Sequence, residues 1–553
     1  MNFNKQNTIL DSFYHWEKNT PDAIFLKQPF GDTFKDFTWK EAVGQARKIA
    51  AYLKSLGLPR KSNIALVSKN CAEWIISDMA ILMADHVSVP LYPTLTAEQI
   101  NQVLVHSESK VAIFGKIDDW EEMKPGIPKD LKCISFPTYN PDPEHIQWNA
   151  ILANTEGIKE DFKPKLEDLM TIIYTSGTTG NPKGVMMDFN AHTQVMLGAR
   201  EYSKMDNRNT RFFSYLPLCH IAERNLVEST AIISGGTIYF AENLDTFAQN
   251  LVNAHPTHFL AVPRIWTKFQ QGILGKLSQS KLDILLKIPI VSSLIKAKVV
   301  KGLGLQDAYL TLTGAAPMPI STILWFRKLG IIIQEAYGMT ENMGAMSCMP
   351  RENIKDGYVG KIYPYQEVKI DENSGEILGK SPWNMIGYYR EPELTKKTLD
   401  DDGWLHTGDV GELDSNGYLK ITGRVKEMYK TSKGEYIAPS KIEVLFGVDP
   451  VIDQICLIGQ SLPQPIALVV LSEAGLKLSE KEIKANFIKL LEEINPVLKT
   501  YERVKKIVIV KEQWTVENNK LTPTFKIKRN FIEKEFAPRS EGWYEAPETI
   551  IYE

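Results

Sequence analysis

Cysteine is scarce in this chain and carries no pattern. Cys71, Cys133, Cys219, Cys348 and Cys456 stand far apart and form no CxxC, which argues against a disulfide framework or a zinc site and fits a reducing cytoplasm. Long apolar runs are missing as well. No stretch reaches the roughly 18 uncharged apolar residues that a transmembrane helix needs. The opening MNFNKQNTILDSF lacks the basic start and apolar core of a signal peptide. Positive charge is not in excess: 64 Lys and Arg stand against 67 Asp and Glu, a net charge of −3, so the basic footprint expected of a nucleic-acid binder is not indicated. Repeats and low-complexity linkers are absent too. The composition is that of an ordinary globular protein, and 553 residues are too many for one compact core and enough for two or three domains.

The first hundred or so residues set the architecture. Thr38-Trp39-Lys40-Glu41 is a capping box, followed by apolar residues at helical spacing from Val43 to Leu53 and a stop at Gly57. Ile64 to Val67 reads as a buried strand, Glu73 to Met83 as a helix, and His86 to Leu91 as a strand. Thr96-Ala97-Glu98-Gln99 is a second capping box, and Val111 to Phe114 another strand. Helices alternating with short apolar strands predict a layered α/β domain with a largely parallel sheet, in which ligands bind at strand ends. Asn140 to Lys165 is polar with several prolines and reads as a surface connection.

That connection leads into Met170 to Met187, MTIIYTSGTTGNPKGVMM. Met170 to Tyr174 reads as a strand and Val185 to Met187 as the start of another apolar run. Between them Gly177, Gly180 and Gly184 let the backbone turn tightly. The hydroxyls of Thr175, Ser176, Thr178 and Thr179, exposed N–H groups and the charge of Lys183 are the parts of a phosphate cradle. It is not a Walker A loop, because Pro182 precedes Lys183 and Gly184 follows it. A plain turn between strands is the competing reading.

Further candidates follow in order. Tyr215-Leu216-Pro217-Leu218-Cys219-His220 ends on a histidine that is either structural or functional. Tyr309 to Thr313 reads as a strand, and Gly314-Ala315-Ala316-Pro317 offers small residues where a flat ring can approach the backbone. In Gln334-Glu335-Ala336-Tyr337-Gly338-Met339-Thr340-Glu341 an aromatic can stack on adenine, a hydroxyl can reach phosphate and a carboxylate can hold magnesium. In Gly403-Trp404-Leu405-His406-Thr407-Gly408-Asp409, an ionised aspartate can accept two ribose hydroxyls, with a simple turn residue as the alternative. Residues 276–301 interleave Lys276, Lys281, Lys287, Lys296, Lys298 and Lys301 with leucine, isoleucine and valine, and Asp283 is the sole acid. The first expectation there is an ordinary helix pair broken at Pro289 with its apolar side inward; the second is a basic amphipathic surface for an anionic membrane.

The stretch from Thr175 to Gly184 resembles the signature loop of the adenylate-forming enzymes: acyl-CoA synthetases, adenylation domains and luciferases. Gly314 to Pro317 and Gln334 to Glu341 resemble that family's adenine-side loop and second signature, and Gly403 to Asp409 its ribose motif. Gly423-Arg424-Val425-Lys426-Glu427 resembles its hinge, and Leu521-Thr522-Pro523-Thr524-Phe525-Lys526 its final signature, with Phe525 where glycine is more usual. The resemblance implies a large layered α/β N-terminal domain over 1–423, a hinge over 424–430 and a smaller, mobile α+β C-terminal domain over 431–553. It also implies the roles. Thr175, Ser176, Gly177, Thr178, Thr179, Gly180, Lys183, Gly314, Ala315, Glu335, Ala336, Tyr337, Gly338, Thr340, Asp409, Arg424 and Lys430 would bind ATP or AMP. Thr175 and Glu341 would hold magnesium.

By the same resemblance Lys526, Lys183 and His220 are catalytic, with Lys528 the competing candidate for Lys526. Lys426 is the pivot, and Gly434, Glu435 and Tyr436 face the thiol. The wording around His220, Tyr436 and Lys526 is most like the long-chain fatty acid–CoA ligases. The implied reaction uses a fatty acid, ATP, magnesium and coenzyme A, in the cytoplasm or at the inner membrane surface, with a fatty acyl-AMP ligase or carrier-protein ligase as the alternative. Oligomeric state stays open, a homodimer included.

Overall fold

The computed structural model describes residues 3–139, 142–176, 182–203, 209–515, 518, 520–521 and 527–553. Both predicted capping boxes form. Thr38 accepts the Glu41 N–H and Glu41 returns the bond, opening a helix over Trp39–Ser55; Thr96 and Gln99 do the same for Ala97–His106. Gly57 closes the first of these helices at φ +66°, a conformation open to glycine without a Cβ clash. The strands Asn63–Val67, Val87–Leu91 and Val111–Phe114 are fully buried and pair in parallel, as continuous apolar runs covered on both faces should.

Two large sheets carry the main body. One has eight strands: Gly387–Tyr388, Pro182–Asp188, Leu169–Ser176, Val87–Leu91, Asn63–Val67, Val111–Phe114, Lys132–Ser135 and Ile146–Gln147, in that spatial order. The other has nine, with Gln334–Tyr337, Leu310–Thr313, His258–Leu260 and Arg211–Ser214 as parallel neighbours. The helix Ala72–Met83 has all twelve of its residues buried, the signature of a helix covered on every side. A third sheet, antiparallel and four-stranded, runs Glu367–Ile370, Glu376–Lys380, Leu405–Leu413 and Leu419–Arg424; periodicity had not announced it.

After Arg424 the chain enters a small α+β unit with its own cores. Its sheet orders Ile452–Ile458, Ile466–Leu471, Lys506–Ile509 and Ile550–Tyr552, and the helix Glu480–Ile494 opens at the capping box of Ser479 and Glu482. One correction concerns the polar connection. Within 142–165 the chain forms the strand Ile146–Gln147 and the helix Trp148–Asn154, and Trp148 and Ile151 are buried in the main core. Polar composition concealed these two anchors.

The last helix, Arg529–Glu545, is held by a buried fork: both Arg529 terminal nitrogens are used, one donating to both Glu443 carboxylate oxygens at 2.7 Å and the other to the Leu457 carbonyl at 2.7 Å. Arg529→Ala leaves the Glu443 carboxylate buried without its counter-charge and is expected to cost the small domain about 3–5 kcal/mol. A denaturant titration of the small domain's transition checks this, and an unchanged midpoint would contradict it.

Candidate active site

The phosphate-loop candidate is a β-turn-β unit at the end of the eight-stranded sheet. Leu169–Ser176 and Pro182–Asp188 run antiparallel, with Thr175 opposite Lys183 and Ser176 opposite Pro182. Gly177, Thr178, Thr179 and Gly180 lie outside the described residues. Lys183 is half-buried. Burial lowers its ammonium's pKa, the nearby charge of Lys426 lowers it further, and Glu341 and Glu391 oppose both. One hinge-candidate residue is therefore within electrostatic reach of the loop lysine.

Glu341 sits in a single turn of 3-10 helix, Thr340–Asn342, and is 8% exposed. The Tyr388 hydroxyl donates to its Oε1 at 2.6 Å. Burial and the neighbouring carboxylate raise the Tyr388 phenol pKa, so it stays a donor. The Lys183 ammonium lies 5.6 Å from the Tyr388 ring centroid. Tyr388 escaped the sequence reading because nothing local marks it; its place comes from pairing with Val185 across the sheet. Among the described residues no group of three or more His, Cys, Asp or Glu could hold a metal alone. Thr175 and Glu341 each offer oxygen donors, which magnesium commonly takes together with substrate phosphates and water, so these residue types fit that ion.

The second cluster is directly bonded. Asp409 is 6% exposed; its Oδ2 accepts the Tyr337 hydroxyl at 2.6 Å and its Oδ1 accepts Arg424 Nε at 2.9 Å. Tyr337 lies on the strand Gln334–Tyr337, whose neighbour Leu310–Thr313 ends at Gly314. A Cβ at Gly314 would come 2.8 Å from the Ala336 carbonyl oxygen, and one at Gly338 would come 2.2 Å from the Gly344 carbonyl carbon. Both glycines are demanded by close backbone approach. Ala315 adopts φ +64°, an uncommon left-handed conformation for a residue with a side chain. Burial, aided by Asp356, pushes the Glu335 carboxyl up to about 8, so it is mostly protonated at neutral pH.

His220 caps the short helix Ile221–Glu223, with its Nδ1 accepting the Ala222 N–H at 3.3 Å. That bond leaves Nε2 to carry the proton of the neutral ring. The preceding segment is pinned from behind. Asn70 donates to Ser214 Oγ at 2.8 Å and to the Leu216 carbonyl at 2.6 Å, and accepts the Leu218 N–H at 3.1 Å; Glu223 Oε1 accepts the Tyr215 N–H at 2.9 Å. Directly after Glu223, a turn of π-helix over Arg224–Ser229 carries Arg224 into the core. Arg224 donates to both Asp78 oxygens at 2.7 and 2.6 Å and to Thr171 Oγ1 at 2.6 Å. Partly buried Leu226, Tyr309, Ala336 and Tyr363 pack with Leu310 and Leu312, an apolar lining between the π-helical turn and the strand ends.

The remaining candidates lie from Arg424 onward. Val425 donates its N–H to the Gly408 carbonyl at 2.9 Å, tying the Arg424–Met428 turn to the ribose-type motif. Lys430 lies 4.9 Å from the ring centroid of Tyr436, and Gly434 (φ +83°), Glu435 and Tyr436 form an exposed turn. Lys526 lies outside the described residues. Lys528 stands before the last helix, and burial lowers its ammonium's pKa.

Residues 13–389 match the family of AMP-binding enzymes, and residues 427–548 match the AMP-binding enzyme C-terminal domain. The chain belongs to the AMP-binding enzyme family. Among curated members it is 31% identical to long-chain-fatty-acid–CoA ligase 5 of Mus musculus, over 93% of this chain and 85% of that protein. It is 27% identical to a long-chain-fatty-acid–CoA ligase of Mycobacterium tuberculosis, over 98% and 97%. The fold is similar to the adenylation domain of a carboxylate reductase from Mycobacterium chelonae (TM-score 0.82, 21% identity, 98% of this chain and 91% of that one). It also resembles an anthranilate CoA ligase in complex with anthranoyl-AMP (TM-score 0.78, 18% identity, 97% and 99%).

The buried Glu223 gives this AMP-binding enzyme a pH signature. Burial raises its carboxyl from an ordinary 4.5 to about 8, against the smaller lowering by the Ser214, Tyr215 and Leu216 hydrogen bonds. Between those values the unfolded chain ionises while the folded one keeps its proton, so this group makes stability fall as pH rises and then level off above about 8. Glu223→Gln is expected to flatten that slope, read as urea midpoints across a pH series. A slope identical to that of the parent protein would show that Glu223 is ionised in the fold.

Proposed function

We propose that the protein is a long-chain fatty acid–CoA ligase that forms AMP. The observation that carries this reading is the meeting of Tyr337, Asp409 and Arg424, from three separate signatures, in one hydrogen-bonded cluster. The names of the curated relatives support the long-chain acid and coenzyme A as substrates. The acid's carboxylate attacks the α-phosphorus of ATP, and pyrophosphate leaves. The mixed anhydride has the good leaving group that a free carboxylate lacks. The thiol of coenzyme A then attacks the acyl carbon and AMP departs.

The first step joins two anions, so positioning and charge neutralisation dominate. Lys183 and the loop from Thr175 to Gly180 hold the β- and γ-phosphates. Asp409 holds the ribose hydroxyls, with Arg424 beside it, and Tyr337 packs its ring on adenine between Gly314, Ala315 and Gly338. Glu335 and Ala336 line that pocket, Lys430 closes it from the end of the hinge, and Thr340 reaches the phosphate. Thr175 and Glu341 would hold a magnesium ion, which supplies charge neutralisation on the triphosphate; Tyr388 orients the Glu341 carboxylate. His220, with its Nε2 proton, lies beside the acyl carboxylate. No protein nucleophile takes part: burial raises the pKa of the Cys219 thiol, which keeps it protonated.

Residues 1–423 form the large domain, 424–430 the hinge and 431–553 the small domain, which turns about Lys426. In one orientation it presents Lys526 for adenylation. In the other, Gly434, Glu435 and Tyr436 face the thiol. The same reading puts the enzyme in the cytoplasm or at the inner membrane surface, where its substrate partitions.

Incubation with MgATP, coenzyme A and a series of fatty acids, followed by AMP and acyl-CoA, tests the whole reading. Turnover confined to short or aromatic acids would discard the substrate, and acyl-AMP that accumulates without acyl-CoA would move the protein to the carrier-protein ligases. Lys526→Ala is expected to slow adenylation by on the order of 10²–10³-fold while leaving thioesterification of supplied acyl-AMP largely intact. Equal loss in both halves would refute this division. Tyr388→Phe is expected to weaken the apparent magnesium affinity roughly ten- to hundredfold, because an orienting partner of a ligating carboxylate is lost. A magnesium titration of AMP release measures it, and an unshifted curve would detach Tyr388 from the ion.

A further inference from the structure

The 276–301 segment forms two helices, Gln279–Leu286 and Pro289–Gly302, broken at Pro289 as expected. The expectation that their apolar side turns inward is only half right. Leu282 is buried, and Leu286, Ile295, Val299 and Val300 pack on a core that extends to Tyr215, the residue that opens the His220 segment. A second apolar set points the other way. Ile284, Ile288, Ile290 and Leu294 are 62, 47, 77 and 66% exposed. Single exposed aliphatics are ordinary, but these four lie around one inter-helix turn.

On the second helix Ile290, Leu294, Ala297 and Lys301 recur at i, i+4, i+7 and i+11, a single face, and all are exposed. Lys287 is exposed at the turn itself, and Lys281 and Lys298 are exposed farther back along the first and second helix. The sole acid of the segment, Asp283, accepts a hydrogen bond from the Gln279 side-chain amide at 2.9 Å, and the Gln279 Oε1 in turn accepts the Trp325 indole N–H at 2.8 Å. The pair is thus fastened at the start of its first helix, with exposed aliphatics about its turn and exposed lysines along both helices, none of which forms an ion pair among the described residues. No helix among the described residues is long and apolar enough to cross a membrane.

We propose that the outward face of this helix pair is a docking surface for an anionic phospholipid bilayer. Ile284, Ile288, Ile290 and Leu294 enter the level between headgroups and acyl chains, while Lys281, Lys287, Lys298 and Lys301 meet the lipid phosphates. The charge pattern selects lipid over a neutral apolar partner, since a dry protein interface would have to desolvate four ammonium groups. The inference rests on the fatty acid reading to the extent that a membrane-borne substrate gives the surface its purpose. The inner face of the pair packs on the same core as Tyr215, the residue that opens the His220 segment.

Vesicle co-sedimentation tests it, with the full chain mixed with vesicles of phosphatidylcholine alone or with phosphatidylglycerol added. The expected result is binding to the anionic vesicles, weakened by salt. Lys287→Glu with Lys298→Glu should lower it at least about tenfold, from the loss of two attractions of about 1 kcal/mol each. Ile290→Glu with Leu294→Glu should lower it as well. Both residue pairs are exposed, and AMP release with a soluble medium-chain acid should be unchanged in every variant. No binding, or binding that the variants leave intact, overturns the proposal. If the aliphatic variants instead convert a dimer to a monomer, a second copy of the chain covers this face and the proposal falls. Loss of AMP release from the parent protein would sink the fatty acid reading, whereas intact AMP release without vesicle binding sinks the docking surface alone.

Discussion

One buried guanidinium ties the working parts of this enzyme together. Arg224 reaches Asp78 in the middle of the fully buried helix Ala72–Met83 and Thr171 on the strand that runs into the phosphate loop. Its own backbone lies in the π-helical turn that follows His220. Two charges removed from water are costly, and the pair is tolerable only because the fork meets the carboxylate with two short bonds and finds a hydroxyl for its other terminal nitrogen. Its surroundings are tuned to spare further charge. Burial and the nearby Asp78 raise the Glu228 carboxyl, outweighing the opposite influence of Arg224, and burial presses the His192 imidazole down to about 3. Burial thus disfavours charge on both groups that flank the ion pair. A shift of Arg224 would move the phosphate strand and the His220 segment together.

Around that pin the chemistry gathers where regular structure ends. Gly314, Tyr337 and Gly338 lie at or just past the ends of parallel strands, where an α/β sheet leaves room for a ligand. The backbone there is forced: neighbouring chains approach within the radius of a missing Cβ, and Ala315 holds a left-handed conformation. Charges of both signs accumulate at the same edge. Lys183 is depressed by burial and by Lys426, Glu341 is buried under Tyr388, and Asp409 is shared by Tyr337 and Arg424. An array of this kind receives a polyanion by exchange of partners, with little reorganisation when charge moves.

Among the described residues one ion pair joins the part after Arg424 to the helix Pro263–Lys276. Arg264 meets Asp453 at 2.6 Å with the arginine half-exposed, a surface pair of modest worth. The Arg424–Met428 turn supplies the covalent link and the approach of Lys426 to Lys183. Cohesion within each part is far greater, as the buried Arg529–Glu443 fork illustrates.

Local physics made a large share of this legible beforehand. The capping boxes at Thr38 and Thr96 needed only the residues three positions on, and the buried strands near 64, 87 and 111 needed only their apolar runs. The contiguous signatures from Thr175 to Gly184 and from Gln334 to Glu341 announced nucleotide chemistry because a phosphate cradle is built from neighbours in the chain. What stayed hidden depends on residues distant in sequence. Tyr388 reaches Glu341 across 47 positions, Arg224 reaches Asp78 across 146, and Asn70 braces Leu216 across a similar span. Trp148 sat in polar company, and the outward set of Ile284, Ile288, Ile290 and Leu294 had the same composition as the inward one. The sequence by itself determined the helix caps and the strands, because those follow from neighbours a few residues apart. Only the tertiary structure decided which charges share a partner and which apolar face is left to solvent, because both are set by long-range packing.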